Sequence, residues 1–554
     1  MTVADLVLEI LAAHGVRHVF GVPGDAINDI TNALRRRDDM EFVLVRHEEA
    51  GAFMASAQAK LTGRLAACVG TAGPGAVHLL NGLYDAKLDH APVIAITGQC
   101  ATPFIGTGYH QEVDTEQLFS DVAEYSRTVM TEDQMPGLML EACKAAISAP
   151  GVAHISIPTD IGGRSIRSKR HDFTLGSEGG LMRPSETSLE HAAQLIDGAK
   201  KVAILAGIGA AGAREELLEI SARLNAPIVR TLRAKDCIDI GEEACIGGLG
   251  LLGTHAGLAA MEHCDLLLIV GADFPYVTFY PKSAKVIQIE PSPLRMGRRA
   301  PLAAALHGHA KPTLQDLLAR VAPKSSRDFY TDMQREKQKD LKGLADAEES
   351  SAIPIKPQRA IAALAAEAPS NAIFTCDTGT TTAWTARHLS IRPGQRYTLS
   401  SSLASMAFAL PGAIGAQLAF PDRPVIAVAG DGGFAMLMAD FVTAVRNNLA
   451  ITCVIFNNRK LAFIGLEQEA KGLPEHSIDL VNPDFVAFAR ACGGDGVRVE
   501  RAEDLRPAFR KAFDSGRPNV IDIDIDPDEL ILPPRISADQ ALNFGLAKIR
   551  ETLG

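Results

Sequence analysis

VIAVAGDGGFAMLMADFVTAVRNNLAITCVIFNNRKLAF, running from Val425 to Phe463, is the stretch whose reading decides the fold. One apolar run ends in Gly430-Asp431-Gly432, and a second, ITCVIF, ends in Asn457-Asn458. The segment between them reads as a helix. Two parallel strands joined in this way carry Asp431 and Asn458 to one edge of a sheet, where open α/β sheets bind ligands. Both residues offer the hard oxygen atoms that Mg2+ or Ca2+ takes. Gly430, Gly432 and Gly433 let backbone N–H groups approach a diphosphate. A lone GDG is most often a turn; the whole run of strand, GDG, helix, strand and NN carries the reading.

The same rhythm extends outward. ADLVLEILAAHG has helical apolar spacing and a glycine stop. HVFGVPG, EFVLVRH, AACVGTAGPG, VIAITG and HISIPTD read as strand ends feeding loops, which predicts a parallel sheet with helices on both faces. KVAILAG, PIVRTL, LLLIVGADF and KVIQIEP form a second set. NAIFTCDTG, PVIAVAGDG, ITCVIFNN and VIDIDID form a third, similar in type to the first. The expected units are 1–180, 186–335 and 356–554, with the polar helical stretch 311–350 as a solvated tether.

Length and composition agree. A chain of 554 residues exceeds one hydrophobic core. A formal net charge of -11 argues against nucleic acid as a partner. Nine cysteines without a CxxC spacing read as thiols of a reducing compartment rather than a metal cluster. No signal segment or spanning apolar run is evident, so a cytoplasmic protein is expected.

These motifs, together with RHEEAGAFMASAQAKLTG at 46–63 and TAGPGAVHLLNGLYDAKLDHAPV at 71–93, resemble thiamine diphosphate enzymes. The resemblance is strongest to the pyruvate oxidase and quinone-linked pyruvate dehydrogenase family, and it covers nearly the whole chain. It implies a pyrimidine-binding domain, a central domain and a diphosphate-binding domain, each a mainly parallel sheet flanked by helices. It implies Asp431 and Asn458 as side-chain ligands of Mg2+, with Lys460 adding its backbone carbonyl. Glu48, in RHEE, matches the glutamate that bonds the cofactor aminopyrimidine; on its own it would read as a helix-start carboxylate. Met406 matches the apolar residue beneath the folded cofactor, and as a core methionine it would be buried. Gly379 keeps the position where backbone approaches the pyrimidine, beside Thr378 in place of the usual valine.

On the substrate side, Phe463, Ile464 and Glu467 match the acyl-pocket segment and Gln111 an active-site glutamine. His110 stands where relatives carry phenylalanine and puts a titratable group near the thiazolium. In the central domain the loops 247–253, 271–276 and 288–297 resemble flavin-contacting loops. Glu290 is placed to accept from ribose hydroxyls and Arg233 to approach the flavin or its diphosphate; His309 departs from a common acidic residue. Gly207, Gly209 and Gly212 do not form the dinucleotide fingerprint.

The implied reaction is oxidative decarboxylation of pyruvate, a small 2-keto acid, to acetate and CO2 with FAD. Electrons would pass to a membrane quinone, with peripheral contact at the inner membrane face. The alternatives are an oxygen- and phosphate-dependent oxidase giving acetyl phosphate, or a non-redox acetolactate synthase or 2-keto acid decarboxylase. The simple decarboxylases carry an adjacent His-His pair that is absent from this sequence. LNFGLAKI near the C-terminus is too short for a membrane helix. The family also implies a homodimer with two shared sites, usually paired into a homotetramer.

Overall fold

The structure, a computed structural model, describes residues 1–166, 181–529, 531 and 533–535. LNFGLAKI and the expected boundary at 180 lie outside the described residues. Among those residues no helix is long and apolar enough to cross a membrane.

Three six-stranded, wholly parallel sheets account for the strands. The first comprises β1 (His18–Gly21), β2 (Glu41–Leu44), β3 (Ala66–Gly70), β4 (Val93–Gln99), β5 (Ala123–Thr128) and β6 (Val152–Pro158). The second comprises β7 (Val202–Ala206), β8 (Ile228–Arg230), β9 (Cys245–Gly248), β10 (Leu266–Val270), β11 (Lys285–Glu290) and β12 (Ala304–His307). The third comprises β13 (Ile373–Cys376), β14 (Arg396–Leu399), β15 (Val425–Gly430), β16 (Ile451–Asn457), β17 (Asp495–Val499) and β18 (Asn519–Asp524).

The first sheet runs β2-β1-β3-β4-β6-β5 and the third β14-β13-β15-β16-β18-β17, which is the same topology twice. The middle sheet runs β12-β11-β10-β7-β8-β9, a doubly wound order whose reversal falls between β7 and β10. Five edge strands, β5, β9, β12, β14 and β17, went unread in the sequence. β12 alternates buried with exposed residues, and β5 and β17 have only one and two buried residues, so none carries a continuous apolar run.

The helix Glu48–Thr62 is buried almost all round, and its sequence explains how. It is rich in alanine, and glycines of two neighbouring helices come against its backbone. A Cβ on Gly415 would sit 2.3 Å from Met54 O, and one on Gly82 2.5 Å from Ala52 Cβ. His47 caps its start by accepting the Glu49 N–H at 3.2 Å, and Gly63, at φ +67, ends it. Through this helix the first and third domains share one core, with Phe20, Phe53 and Met54 in the same cluster as Phe408, Ile414 and Phe434.

A buried charge cluster pins the same junction. Lys60 Nζ lies 2.7 Å from both Asp85 and Asp89 and donates to Leu399 O at 3.0 Å. Asp89 accepts the N–H groups of Ser401 and Ser402, each at 3.1 Å. Burial pushes Asp89 upward, and Lys60 and Arg233 more than reverse it.

The expected tether is corrected. Helix Ala310–Leu318 belongs to the middle core, and helix Asp328–Glu348 sets Phe329 and Met333 into a middle-domain cluster. Lys337, on the latter helix, is buried and donates to Glu242 O at 2.8 Å. The cysteines are free, and burial pushes those of Cys143, Cys237 and Cys264 up to about 12.

Candidate active site

In the third sheet the strand order turns back between β13 and β15, so their C-terminal ends frame the crevice where such sheets take ligands. β13 delivers Asp377, Thr378 and Gly379 there, and β15 delivers Gly430, Asp431 and Gly432. β15 pairs in parallel with β16, Gly430 opposite Phe456, which brings Asn457 and Asn458 alongside. The segment between them is two short helices, Asp431–Leu437 and Phe441–Arg446, broken by a 3-10 turn at Met438–Asp440.

Asp431 and Asn458 stand at the ends of adjacent strands, and Arg459, the residue after Asn458, bonds Asp431. Asp431 is buried, and its Oδ2 accepts the Arg459 N–H at 2.8 Å and the Asn482 amide at 2.6 Å. The Asn482 amide also reaches Asn457 Oδ1 at 3.2 Å. Burial raises the Asp431 carboxyl, against the pull of Asn482. A buried carboxylate beside amide oxygens, with neutral donors around it, fits a divalent cation. Asn458 Oδ1 accepts the Lys460 N–H at 3.2 Å. The Lys460 ammonium turns away to Glu475, at 2.5 Å, and Asp528, at 3.5 Å, which leaves its backbone as the part beside the loop.

The glycines leave open space in the crevice. A Cβ on Gly430 or Gly379 would meet nothing within 4 Å, so open space faces both. Gly379 holds φ +134, a conformation that favours glycine. Met406 Cε lies 3.4 Å from where a Gly432 Cβ would be, so Met406 stands over the glycine loop. It is half-buried rather than buried, because one side of it lines this crevice.

Asp377 and Asn482 are residues that the sequence reading missed. Asp377 is buried and accepts the Phe408 N–H at 2.9 Å on Oδ1, while Oδ2 has no hydrogen-bond partner. Burial pushes it up to about 7. A Cβ on Gly433 would lie 1.9 Å from Asp377 Oδ2, which is why position 433 takes no side chain. Asp377 thus joins the Met406 segment, the Gly379 turn and the glycine loop.

Glu48 opens its helix in a second cluster. Its Oε2 lies 2.9 Å from His78 Nδ1, and the His78 ring stacks on His47 at 4.4 Å between centroids. Glu49 accepts the Asn81 amide at 2.6 Å, which also reaches Ser405 Oγ at 3.0 Å, one residue before Met406. Among the described residues no hydrogen bond or ion pair joins Glu48 to Asp431 or Asn458.

Gln111, at φ +60, packs on Gly73 of the TAGPG turn, and Glu48 Oε1 sits 3.2 Å from a Cβ on Gly75 of that turn. His110 is exposed in the same loop. Glu112 shapes the loop by accepting the N–H groups of Gly108 and Tyr109 at 2.7 and 3.0 Å. Phe463 leans on the third-domain core, while Ile464 and Glu467 are exposed, three apart on one helix face.

In the middle domain the crevice between β7 and β10 is filled by its own backbone. A Cβ on Gly207 would lie 2.2 Å from Gly271 O, and one on Gly209 2.7 Å from Gly271 Cα. These glycines serve packing. Glu290 is buried and accepts the Ser292 N–H at 3.0 Å, with Arg295 at 3.9 Å. Arg233 lies 3.8 Å from Asp89. Beside it burial, Arg295 and Arg233 hold His90 down at about 4. His309 Nδ1 accepts the Met182 N–H at 2.9 Å.

Comparison with known proteins adds three family matches. Residues 1–118 match the thiamine pyrophosphate enzyme N-terminal TPP binding domain, 189–317 the central domain and 377–523 the C-terminal TPP binding domain. The chain is 42% identical to the putative thiamine pyrophosphate-containing protein YdaP of Bacillus subtilis, covering 98% of this chain and 95% of that one. It is 32% identical to a pyruvate oxidase of Lactiplantibacillus plantarum, over 97% and 90% of the two chains. It is 31% identical to the acetolactate synthase isozyme 2 large subunit of Escherichia coli, over 96% and 97%.

Proposed function

The chain belongs to the thiamine pyrophosphate enzymes, and on that premise we propose that it decarboxylates a small 2-keto acid, pyruvate first, using thiamine diphosphate and Mg2+. The observation that carries this is Asp431 buried beside Asn458 at the β13–β15 crevice, with Met406 standing over the glycine loop. Asp431, Asn458 and the Lys460 carbonyl would hold the metal. Gly430, Gly432 and Gly433 would take the diphosphate, and Gly379 and Met406 the rings. Bound thiamine diphosphate supplies the electron sink for the carbon–carboxylate bond. Glu48 holds and moves a proton at the aminopyrimidine, where a charge-assisted hydrogen bond acts in a dry site. Phe463, Ile464, Glu467, Gln111 and His110 bound the acyl side.

Two fates of the product follow from the relatives' names, which stand at 32% and 31% identity and so do not choose between them. In the oxidative reading, Glu290, Arg233 and the middle-domain loops would hold FAD, which would supply the electron acceptor ahead of quinone or oxygen, and the product would be acetate or acetyl phosphate. In the other reading a second keto acid is joined and acetolactate leaves. Among the described residues the Glu48 cluster makes no hydrogen bond or ion pair to Asp431 or Asn458, and the proposal includes sites shared between two copies, paired further into a tetramer.

The test is anaerobic addition of pyruvate to the purified chain with thiamine diphosphate and Mg2+. CO2 release is expected. Bleaching of a bound flavin with acetate or acetyl phosphate selects the oxidative fate, and acetolactate selects the other. Absence of CO2 from pyruvate and from 2-oxobutanoate would overturn the proposal.

A further inference from the structure

We infer that His78 is the group through which Glu48 exchanges its proton with solvent. This rests on the reading of Glu48 as the proton-handling carboxylate. The Glu48 side chain is 10% exposed and that of His78 42% exposed, with Nδ1 to Oε2 at 2.9 Å. Within one chain, a nearly dry carboxylate is therefore bonded to one nitrogen of a ring that stands open beside it. An imidazole is the side chain suited to this, since one nitrogen can give a proton while the other takes one.

The neighbours hold the ring in that pose. His47 stacks on it with an interplanar angle of 28°, and His47 is fixed by accepting the Glu49 N–H. From the far side, the third domain grips the strand end leading to Glu48: Asp440 Oδ1 accepts the Arg46 N–H at 2.9 Å, and Thr443 Oγ1 donates to Leu44 O at 3.3 Å. The three donors His47, Glu48 and His78 also lie within 4.8 Å of one another. Nearly parallel stacked rings direct their lone pairs along separate planes, which suits a relay better than a metal site.

The step balances as a pure proton transfer. Nδ1–H passes its proton to Glu48 Oε2 as Nε2 takes one from water; one N–H bond and one O–H bond of the water break, one O–H on Glu48 and one N–H on Nε2 form, and the hydroxide left behind is neutralised by buffer. The reverse sequence unloads the carboxylate. No electrons are exchanged. His78 acts on the cofactor only through Glu48, so it is a positioning and relay residue.

The test follows exchange of the thiamine C2 hydrogen for deuterium in D2O, read by NMR after acid quench, on the chain loaded with thiamine diphosphate and Mg2+. His78→Ala should slow exchange by about tenfold to a hundredfold, within the range of general acid–base contributions. Calorimetric affinity for the cofactor should stay at the parental value, which separates a relay from a fold defect. Imidazole added to His78→Ala should restore the rate. Pyrazole, the same shape but a far weaker base, should not. His78→Gln gives the same comparison should the alanine variant fold poorly. Restoration by both additives or by neither overturns the relay. Parental exchange in His78→Ala beside slow exchange in Glu48→Gln overturns this inference alone; parental exchange in Glu48→Gln overturns the role of Glu48 and this inference with it.

Discussion

The carboxylate of Asp440 accepts the backbone N–H of Arg46 at 2.9 Å, so the third domain holds the first domain's chain two residues before Glu48. Asp440 closes the turn after the helix that Asp431 begins. One short segment therefore touches the Asp431 loop at its start and the Glu48 approach at its end. Asp440→Ala is expected to lower kcat at least tenfold while costing about 1–3 kcal/mol, the usual cost of leaving a buried group unpaired. Steady-state kinetics and urea unfolding check this; a folded variant with parental kcat would show that the grip has no bearing on Glu48.

Asp377 makes stability depend on pH in a defined direction. Burial raises its carboxyl from 3.8 to about 7. The folded chain then holds a proton that the unfolded chain has released, so this contribution is full below about 4 and is lost as pH rises through about 7. Asp440, raised to about 6, adds the same sign. In Asp377→Asn the cofactor-free protein should therefore gain on the parent between pH 5 and pH 8, by on the order of a few kcal/mol. Denaturant midpoints at the two pH values give the answer, and parallel lines for parent and variant would refute it.

Lys60 is the only cation within 3 Å of the buried Asp85 and Asp89 carboxylates among the described residues. Lys60→Met should cost about 3–5 kcal/mol, because it strands buried charge rather than removing it. Thermal unfolding is the measurement. A loss below 1 kcal/mol, the scale of an exposed pair, would mean the cluster is solvated.

Gly430 and Gly433 should respond oppositely to alanine. A Cβ at 433 would lie 1.9 Å from Asp377 Oδ2, so Gly433→Ala should destabilise the fold by about 1–3 kcal/mol. At 430 the space is open and the backbone, at φ −76, accepts any residue. Gly430→Ala should fold normally yet bind thiamine diphosphate more weakly. Calorimetry alongside unfolding separates the two, and undiminished affinity in Gly430→Ala would remove the diphosphate from that space.

If sites are shared between copies, two dead variants rescue each other. Glu48→Gln and Asp431→Ala homodimers should each be inactive, and mixed dimers should regain one working site. Co-expression with two affinity tags isolates the hybrid. No activity in it would place each site within a single chain.

The sequence by itself determined the parallel sheets and the loop that carries Asp431 and Asn458. Central strands are buried on both faces and read as unbroken apolar runs, and Asp431, Asn458 and their glycines lie within one strand–helix–strand unit, where neighbours in sequence are neighbours in space. Glu48 and Met406 became legible only through resemblance, since each alone matches an ordinary helix start or core residue. The tertiary structure decided the rest. Edge strands such as β12 and β17 mix buried with solvent-facing residues and carry no run to read. His78 meets Glu48, Asn482 meets Asp431 and Asp377 meets Gly433 across 30, 51 and 56 residues of chain. No local period encodes such contacts; they form because packing of the alanine-rich helix Glu48–Thr62 between two domains, and the crossing order of the strands, bring distant loops to one edge.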